Sequence, residues 1–305
     1  MHYTEKLAAF ADTLSRLLTI RDVAEVPGLS WDTVKHLVKQ RRQKDYGRLS
    51  YKPLKLLSID EIYVGKKKKF YTLVLDLESG RIVWVRPGRG KAALQGFWRR
   101  LRLSKAKIEA VAMDMSGAYW ATVLEAFPKV KGVFDRFHIM KLMNEKLGDL
   151  RRALVREPEG PLKMVIKGTR FLLLARPANL KDEQLPKLET ALQLNEPLFQ
   201  TWYPKEELAL LWAQPTYHAM ERFLRHWCAQ AFATGIKQLG HMAKTRLTHR
   251  TGLLNWWGHR INNGKMEGTN NNIKTLTHQA YGYRDEDFCI LKLLGLHESK
   301  YKLVG

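Results

Sequence analysis

The run Lys55-Leu56-Leu57-Ser58-Ile59-Asp60-Glu61-Ile62-Tyr63-Val64 is apolar and rich in β-branched residues, with two acids set in its middle. Similar runs follow at 70–76 and 81–85, separated by Gly65-Lys66-Lys67-Lys68-Lys69 and by Glu78-Ser79-Gly80. Short runs punctuated in this way predict a three-stranded meander. Beyond it the pattern alternates: a helix over 91–103, a strand over 108–114, a helix over 118–126 and a strand over 130–134. Three antiparallel strands followed by alternating helix and strand predict an α/β or α+β layer around a mixed sheet.

On the N-terminal side, Leu7, Phe10, Ala11, Leu14, Leu17 and Leu18 fall on one helical stripe. Thr19 is placed to cap a second, short helix that Pro27-Gly28 ends, and Ser30 to cap a third with Val34, Leu37 and Val38 facing inward. The other faces of that third helix carry Lys35, His36, Lys39, Arg41 and Arg42. Helix, short helix, glycine turn and basic helix is the order of a helix-turn-helix, and also that of a three-helix interaction module with a solvated basic face. Residues 45–54 break the period and predict a linker. On the C-terminal side, 138–257 reads as almost all helix, broken by prolines at 158, 161, 177, 186, 197, 204 and 215. A last pair of helices begins near Met266 and at 288.

The 305 residues carry 52 Lys and Arg against 30 Asp and Glu, a net charge of +22, with 45% hydrophobic residues. Such a chain has enough apolar mass for a real core, so it is not a disordered basic tail. A folded chain this basic points to a polyanionic partner, above all nucleic acid. No apolar stretch approaches the roughly 20 residues of a membrane span, and residues 1–10 lack a signal-peptide hydrophobic stretch. The expected location is therefore cytoplasmic and nucleoid-associated, with no membrane partner. The two cysteines, Cys228 and Cys289, exclude a disulfide framework and a thiolate zinc site.

Three acids stand out. Asp60 and Asp114 sit at strand ends, where sites gather in sheets of this kind. A carboxylate within an apolar strand is costly unless it is paired or bound to metal. Glu267 lies in Asn263-Gly264-Lys265-Met266-Glu267-Gly268-Thr269-Asn270-Asn271-Asn272-Ile273-Lys274, where Glu267, Asn270 or Asn271, and Lys274 share one helical face. Three carboxylates brought together hold two Mg²⁺ ions of the kind that drive phosphoryl transfer, and Lys274 one turn on is suited to a phosphate. Position alone does not select Asp60 and Asp114, since Asp76 and Asp135 are similarly placed and a strand-end Asp is commonly a turn or cap residue.

At these residues the chain resembles bacterial insertion-sequence transposases of the DDE type, and closely the ISL three group. The match runs through Leu57-Ser58-Ile59-Asp60-Glu61, Met113-Asp114-Met115-Ser116-Gly117-Ala118-Tyr119, Phe134-Asp135-Arg136-Phe137-His138-Ile139, the Glu267 segment and Ala280-Tyr281-Gly282-Tyr283-Arg284. The resemblance implies an RNase H-like mixed sheet interrupted by an all-helical insertion and preceded by the helix-turn-helix module. The corresponding divisions are 1–46 for the module, 47–140 for the first part of the core, 141–258 for the insertion and 259–305 for the closing helices. It also implies Asp60, Asp114 and Glu267 as catalytic, metal-binding residues, Asp60 bridging two Mg²⁺ ions (Mn²⁺ as substitute) and each other acid completing one. The implied reaction is metal-dependent cleavage at the element's ends to a free 3′-hydroxyl, which then attacks target DNA. Partners would be double-stranded DNA, as terminal inverted repeats and target, and a second copy of the chain in a homodimer. Members of the group commonly begin with a cysteine-rich zinc-binding segment, whereas here no such cysteines precede the helix-turn-helix pattern. A structure-selective nuclease on the same core, and a DNA-binding repressor derived from a transposase, are the rival readings.

The remaining candidates are basic. Lys35, Lys39, Arg41 and Arg42 of the third helix, Lys66, Lys67 and Lys68 of the hairpin, Arg99 and Arg100, and Asn271 with Lys274 are expected to contact DNA. Asp135 and His138, three apart, are suited either to a supporting role at the site or to capping the long helix that follows. The tryptophans of the helical region are read chiefly as core.

Overall fold

The computed structural model describes residues 3–64, 69–115, 117–156, 166, 168–280 and 282–299. Lys66, Lys67 and Lys68 lie outside the described residues, as do Pro158 and Pro161. The chain divides into two compact units, one formed by Met1–Gly132 with Ile261–Gly305 and the other by Val133–Arg260.

The first unit begins with α1 (Glu5–Ser15), α2 (Ile20–Glu25) and α3 (Trp31–Tyr46). There follow β1 (Leu56–Val64), β2 (Lys69–Asp76), β3 (Ile82–Pro87), α4 (Gly90–Leu103), β4 (Ala110–Met113), α5 (Gly117–Ala126) and β5 (Lys131–Phe134), where the chain passes to the second unit. The sheet order is β3-β2-β1-β4-β5. β1 pairs antiparallel with β2 from Leu57 opposite Asp76 to Val64 opposite Lys69. It pairs parallel with β4, Ser58 opposite Ala112. The mixed sheet and helical crossovers form the expected RNase H-like layer.

β1 is central, which explains its apolar run: Leu57, Ser58 and Ile59 are all essentially inaccessible. α4 buries Ala93, Leu94, Phe97, Trp98 and Leu101, and Trp84 of β3 donates its indole N–H to the carbonyl of Ala93 at 2.9 Å. Helix Gly264–Gln279 packs on β1, and helix Glu286–Leu294 packs on β3 and α3.

The N-terminal caps form as the sequence predicts. Thr19 and Asp22 make a reciprocal capping box, Ser30 accepts from the N–H of Thr33, and Gly28 takes φ +65° in the turn between α2 and α3. The apolar stripe of α1 holds at Ala11 and Leu14, which join the core, and fails at three other positions. Phe10, Leu17 and Leu18 are 46%, 45% and 41% exposed, whereas Ala11, Asp12 and Ser15 are buried. Asp12 turns inward to receive Arg42 (Nε to Oδ1 2.8 Å), and Arg42 also donates to the hydroxyl of Ser15 at 3.3 Å. The helix ends at Ser15, so Leu17 and Leu18 fall in the turn before Thr19 and leave the stripe.

Lys292, on the last helix, is buried, and its ammonium donates to the carbonyl of Ser15 at 2.6 Å. Burial, then the nearby charge of Arg42, push its pKa down to about 7 from the ordinary 10.5. Between those two values the unfolded chain holds a proton that the folded chain has lost, so stability rises with pH, by at most about 1.4 kcal/mol per unit. Cys289, which burial pushes up to about 12, acts with the opposite sign once the unfolded thiol ionises near 9. Urea unfolding should therefore show a midpoint that rises from pH 7 to 9. That rise should vanish in Lys292→Met; its survival there would remove Lys292 as the cause.

The second unit is helical. It is built on α6 (Arg136–Arg156) with helices Arg170–Leu174, Leu185–Gln193, Glu196–Leu208, Tyr217–Ala233, Lys237–Thr248, Arg250–Leu254 and Trp256–His259. Pro186 and Pro197 do not break helices but sit in their first turns, where the missing N–H costs nothing. Pro204 lies inside Glu196–Leu208, and its carbonyl accepts the indole N–H of buried Trp227 at 2.8 Å. Trp212 is also buried. Arg246, fully buried, donates to the carbonyl of Ile139 at 3.1 Å, and burial lowers its pKa to about 10.

Candidate active site

Ser58 stands opposite Ala112 in the parallel pairing of β1 with β4, which sets Asp60 two residues further along β1 and Asp114 two residues further on, just past the end of β4. Asp60 is half-buried. Its Oδ1 accepts from the N–H of Glu61 at 2.8 Å and its Oδ2 from the side-chain amide of Asn270 at 2.7 Å. Asp114, just past β4, accepts from the N–H of Met115 at 2.6 Å.

Glu267 and Asn270 are on helix Gly264–Gln279, three positions apart and therefore on one face. Three contacts fix the start of that helix. Buried Asn263 accepts the hydroxyl proton of Ser58 at 2.8 Å, Gly264 N–H bonds to Asn262 Oδ1 at 2.8 Å, and Lys265 donates to the carbonyl of Leu77 at 2.6 Å. Asn270, rather than Glu267, is the direct partner of Asp60, while the Glu267 side chain faces solvent. Among the described residues no group of three or more His, Cys, Asp or Glu side chains is gathered closely enough to hold a metal ion. The buried Oδ1 of Asn270, beside Asp60, has no hydrogen-bond partner among the described residues. An unsatisfied amide oxygen next to the Asp60 carboxylate is oxygen-donor chemistry that suits a hard divalent cation.

The comparisons with known proteins bear on these residues directly. A transposase family model, that of the DDE transposases of the ISL three group, matches residues 57–293, a span that holds all three acids. The chain belongs to the ISL three family of DDE transposases. It is 31% identical, over 95% of its own length and 72% of the relative's, to the transposase for insertion sequence element IS1001 of Bordetella parapertussis. It is 27% identical to the transposase for IS1557 of Mycobacterium tuberculosis, over 100% of this chain and 75% of that one. In fold it is similar to the Drosophila P element transposase strand transfer complex. The TM-score there is 0.50 at 10% identity, covering 98% of this chain and 92% of that one. It is thus a DNA transposase, of a family that uses divalent metal.

The transposase carries a second network beside Asp60 that sequence reasoning did not single out, although both of its anchors lie in the matched motifs. Glu61 accepts a hydrogen bond from the hydroxyl of buried Tyr119 and pairs with Arg89 at 3.3 Å. The same hydroxyl accepts from the N–H of Gly90 at 3.3 Å and lies 3.4 Å from Thr72 Oγ1. Burial, then the bond to Glu61, push the Tyr119 phenol up to about 12. α5, which follows Asp114, is thereby pinned to β1, which carries Asp60. Tyr119→Phe should destabilise the protein by about 1–2 kcal/mol, the usual cost of leaving buried polar partners unmet. An unchanged urea midpoint would mean that the bond contributes nothing.

The expected DNA-contacting residues meet different fates. Arg42 is corrected: at 3% exposure and bonded to Asp12 it is an internal cation and offers no surface to a polyanion. Lys35 and Lys39 converge on Asp285 at 2.9 and 3.0 Å, because Asp285 caps the last helix where that helix crosses α3. Burial alone would raise the Asp285 pKa, but the Phe288 N–H and the two lysines hold it well below the usual carboxylate range. Arg41 pairs with Asp45 at 3.4 Å. Arg99, Arg100, Asn271 and Lys274 are exposed. In the helical unit, buried Asp135 contacts His138 Nδ1 at 3.2 Å at the start of α6. Both cysteines are buried and free. No helix among the described residues is long and apolar enough to cross a membrane.

Proposed function

We propose that this transposase cuts and joins DNA at a site whose ligands are Asp60, Asp114 and Glu267. The observation that carries the reading is the hydrogen bond from Asn270 to Asp60, which ties the helix bearing Glu267 to the strand bearing Asp60. When bound, two Mg²⁺ ions (or Mn²⁺) would supply an activated oxygen nucleophile and charge stabilisation for the leaving 3′-oxygen. Asp60 would provide a carboxylate from β1 and Asp114 one from just past β4. Asn270 orients Asp60 through its amide and offers its own oxygen. Glu267, one turn earlier on the same helix, would supply the third carboxylate. Arg99, Arg100, Asn271 and Lys274 are the surface groups suited to the phosphodiester backbone, whose contacts fix register without reading sequence.

The unit Val133–Arg260 is read as the helical insertion between the second and third acids, with Asp135 and His138 as a supporting pair at its start. The helix-turn-helix reading of α1–α3 is kept with a changed face. His36, Gln40 and Gln43 of α3 are exposed and replace Arg42 as the groups that face a groove. Holding two element ends at once calls for a homodimer.

The test is a cleavage and joining assay on DNA carrying the element's terminal inverted repeats, with Mg²⁺ or with EDTA. Joined products that require the metal support the reading. Cleavage without joining would turn it toward a nuclease, and binding with neither toward a repressor.

A further inference from the structure

Within the helical unit a cavity of about 490 Å³ opens beside α6. Among the described residues Lys141, Arg151, Arg152, Arg170, Arg176 and Lys205 line it against a single carboxylate, Glu145. Arg152 is answered by Asp149 and Lys205 by Glu206. Among the described residues Arg151, Arg170 and Arg176 have no carboxylate partner, and the buried Nε of Arg151 and Oδ1 of Asn144 have no hydrogen-bond partner. The arginines are crowded at a cost: burial, then Arg170 and Arg152, lower the pKa of Arg151. Lys205, buried, holds the segment in place by donating to the carbonyls of Leu173 and Ala175 at 2.9 and 3.1 Å. Unpaired guanidinium groups in a partly desolvated wall are suited to phosphate, which their fork matches with two parallel hydrogen bonds. The wall is not only basic. Phe137, 51% exposed, and Met140 give it an apolar side on which a flat ring can lie. The volume falls within the roughly 300–1,000 Å³ of small-ligand sites.

We propose that this cavity binds one nucleotide unit, its phosphate on Arg151, Arg170 and Arg176 and its base against Phe137 and Met140. The nucleotide is either part of a DNA strand with its base turned outward or a free nucleotide. The inference goes beyond the cutting and joining chemistry and does not depend on where the metal binds.

The test uses the full chain in EDTA, so that no strand is cut and the result is independent of the three acids. Fluorescein-labelled oligothymidylate of twelve residues is titrated by anisotropy, and dTMP at millimolar concentration is followed by thermal shift. Arg151→Gln with Arg170→Gln should weaken oligonucleotide binding at least tenfold and flatten the salt slope by about 0.7, one phosphate contact on a single strand. Phe137→Ala, which changes no charge, should weaken it about 5- to 150-fold through lost stacking, yet leave an abasic dodecamer unaffected. If dTMP also raises the melting temperature of the wild type and not of the double variant, the source is a free nucleotide. If only the oligonucleotide responds, it is a DNA strand. Should the double variant misfold, the exposed Arg176→Gln reads the same loss. Wild-type binding of both probes by the arginine variants and by Phe137→Ala overturns the proposal.

Discussion

Glu267→Gln is expected to lower metal-dependent cleavage and joining by about 10³-fold or more, while DNA affinity stays within about threefold of wild type. A ligand that completes a divalent-metal site contributes several kcal/mol of transition-state stabilisation, and each 1.36 kcal/mol is a factor of ten in rate. The Glu267 side chain faces solvent, so the change leaves packing intact and stability should move by no more than about 0.5 kcal/mol. Asp60→Asn should cause an equal loss of activity with a small structural effect added. Asp60 accepts from Glu61 N–H and from the Asn270 amide. An asparagine there meets one of those donors with a donor of its own, at about 1 kcal/mol. The readouts are product formation on terminal-repeat DNA in Mg²⁺ and anisotropy in EDTA. Wild-type rates in Glu267→Gln would remove that residue from the site. Wild-type rates in Asp60→Asn as well would remove the site itself.

Asp12→Ala should destabilise the first unit by about 3–5 kcal/mol, the cost of leaving a buried charge unanswered. Arg42 is 3% exposed, and its Nε meets Asp12 Oδ1 at 2.8 Å with Ser15 beside it. Arg16, which also contacts Asp12 at 3.2 Å, is half-exposed and keeps its second partner Glu298, so it does not carry the loss. The paired replacement Asp12→Leu with Arg42→Met removes both charges and should recover most of the stability, because an apolar pair of similar volume avoids desolvation altogether. Equilibrium urea unfolding measures both. A single variant as stable as the wild type would mean that water reaches Arg42. A double variant as unstable as the single would locate the cost in packing rather than in charge.

Local chemistry was written in the order of residues. The β-branched runs around Asp60, the caps Thr19 and Ser30, the glycine turn at Gly28 and the amphipathic face of α4 depend on neighbours within a few positions, and they form where the pattern places them. The three acids were singled out by the resemblance to the family's motifs and not by their surroundings, since strand-end position does not separate Asp60 and Asp114 from Asp76 and Asp135. What could not be read were partnerships between residues far apart in the chain. Periodicity turned Phe10 inward and Arg42 outward, but Asp12 and Arg42 are buried as an ion pair while Phe10 stays exposed. Lys35 and Lys39 looked like a free basic face until Asp285, nearly 250 positions later, came to cap a helix against them. Asn270 and Asn271 were equivalent candidates on one helical face, and only the packing of that helix on β1 chose Asn270 for Asp60. Hydrophobic pattern decides which elements form, because it is read within one turn or one pleat. Which charges meet is decided by closure of the whole unit, because burying an ion is tolerable only where its counter-charge arrives from elsewhere in the fold.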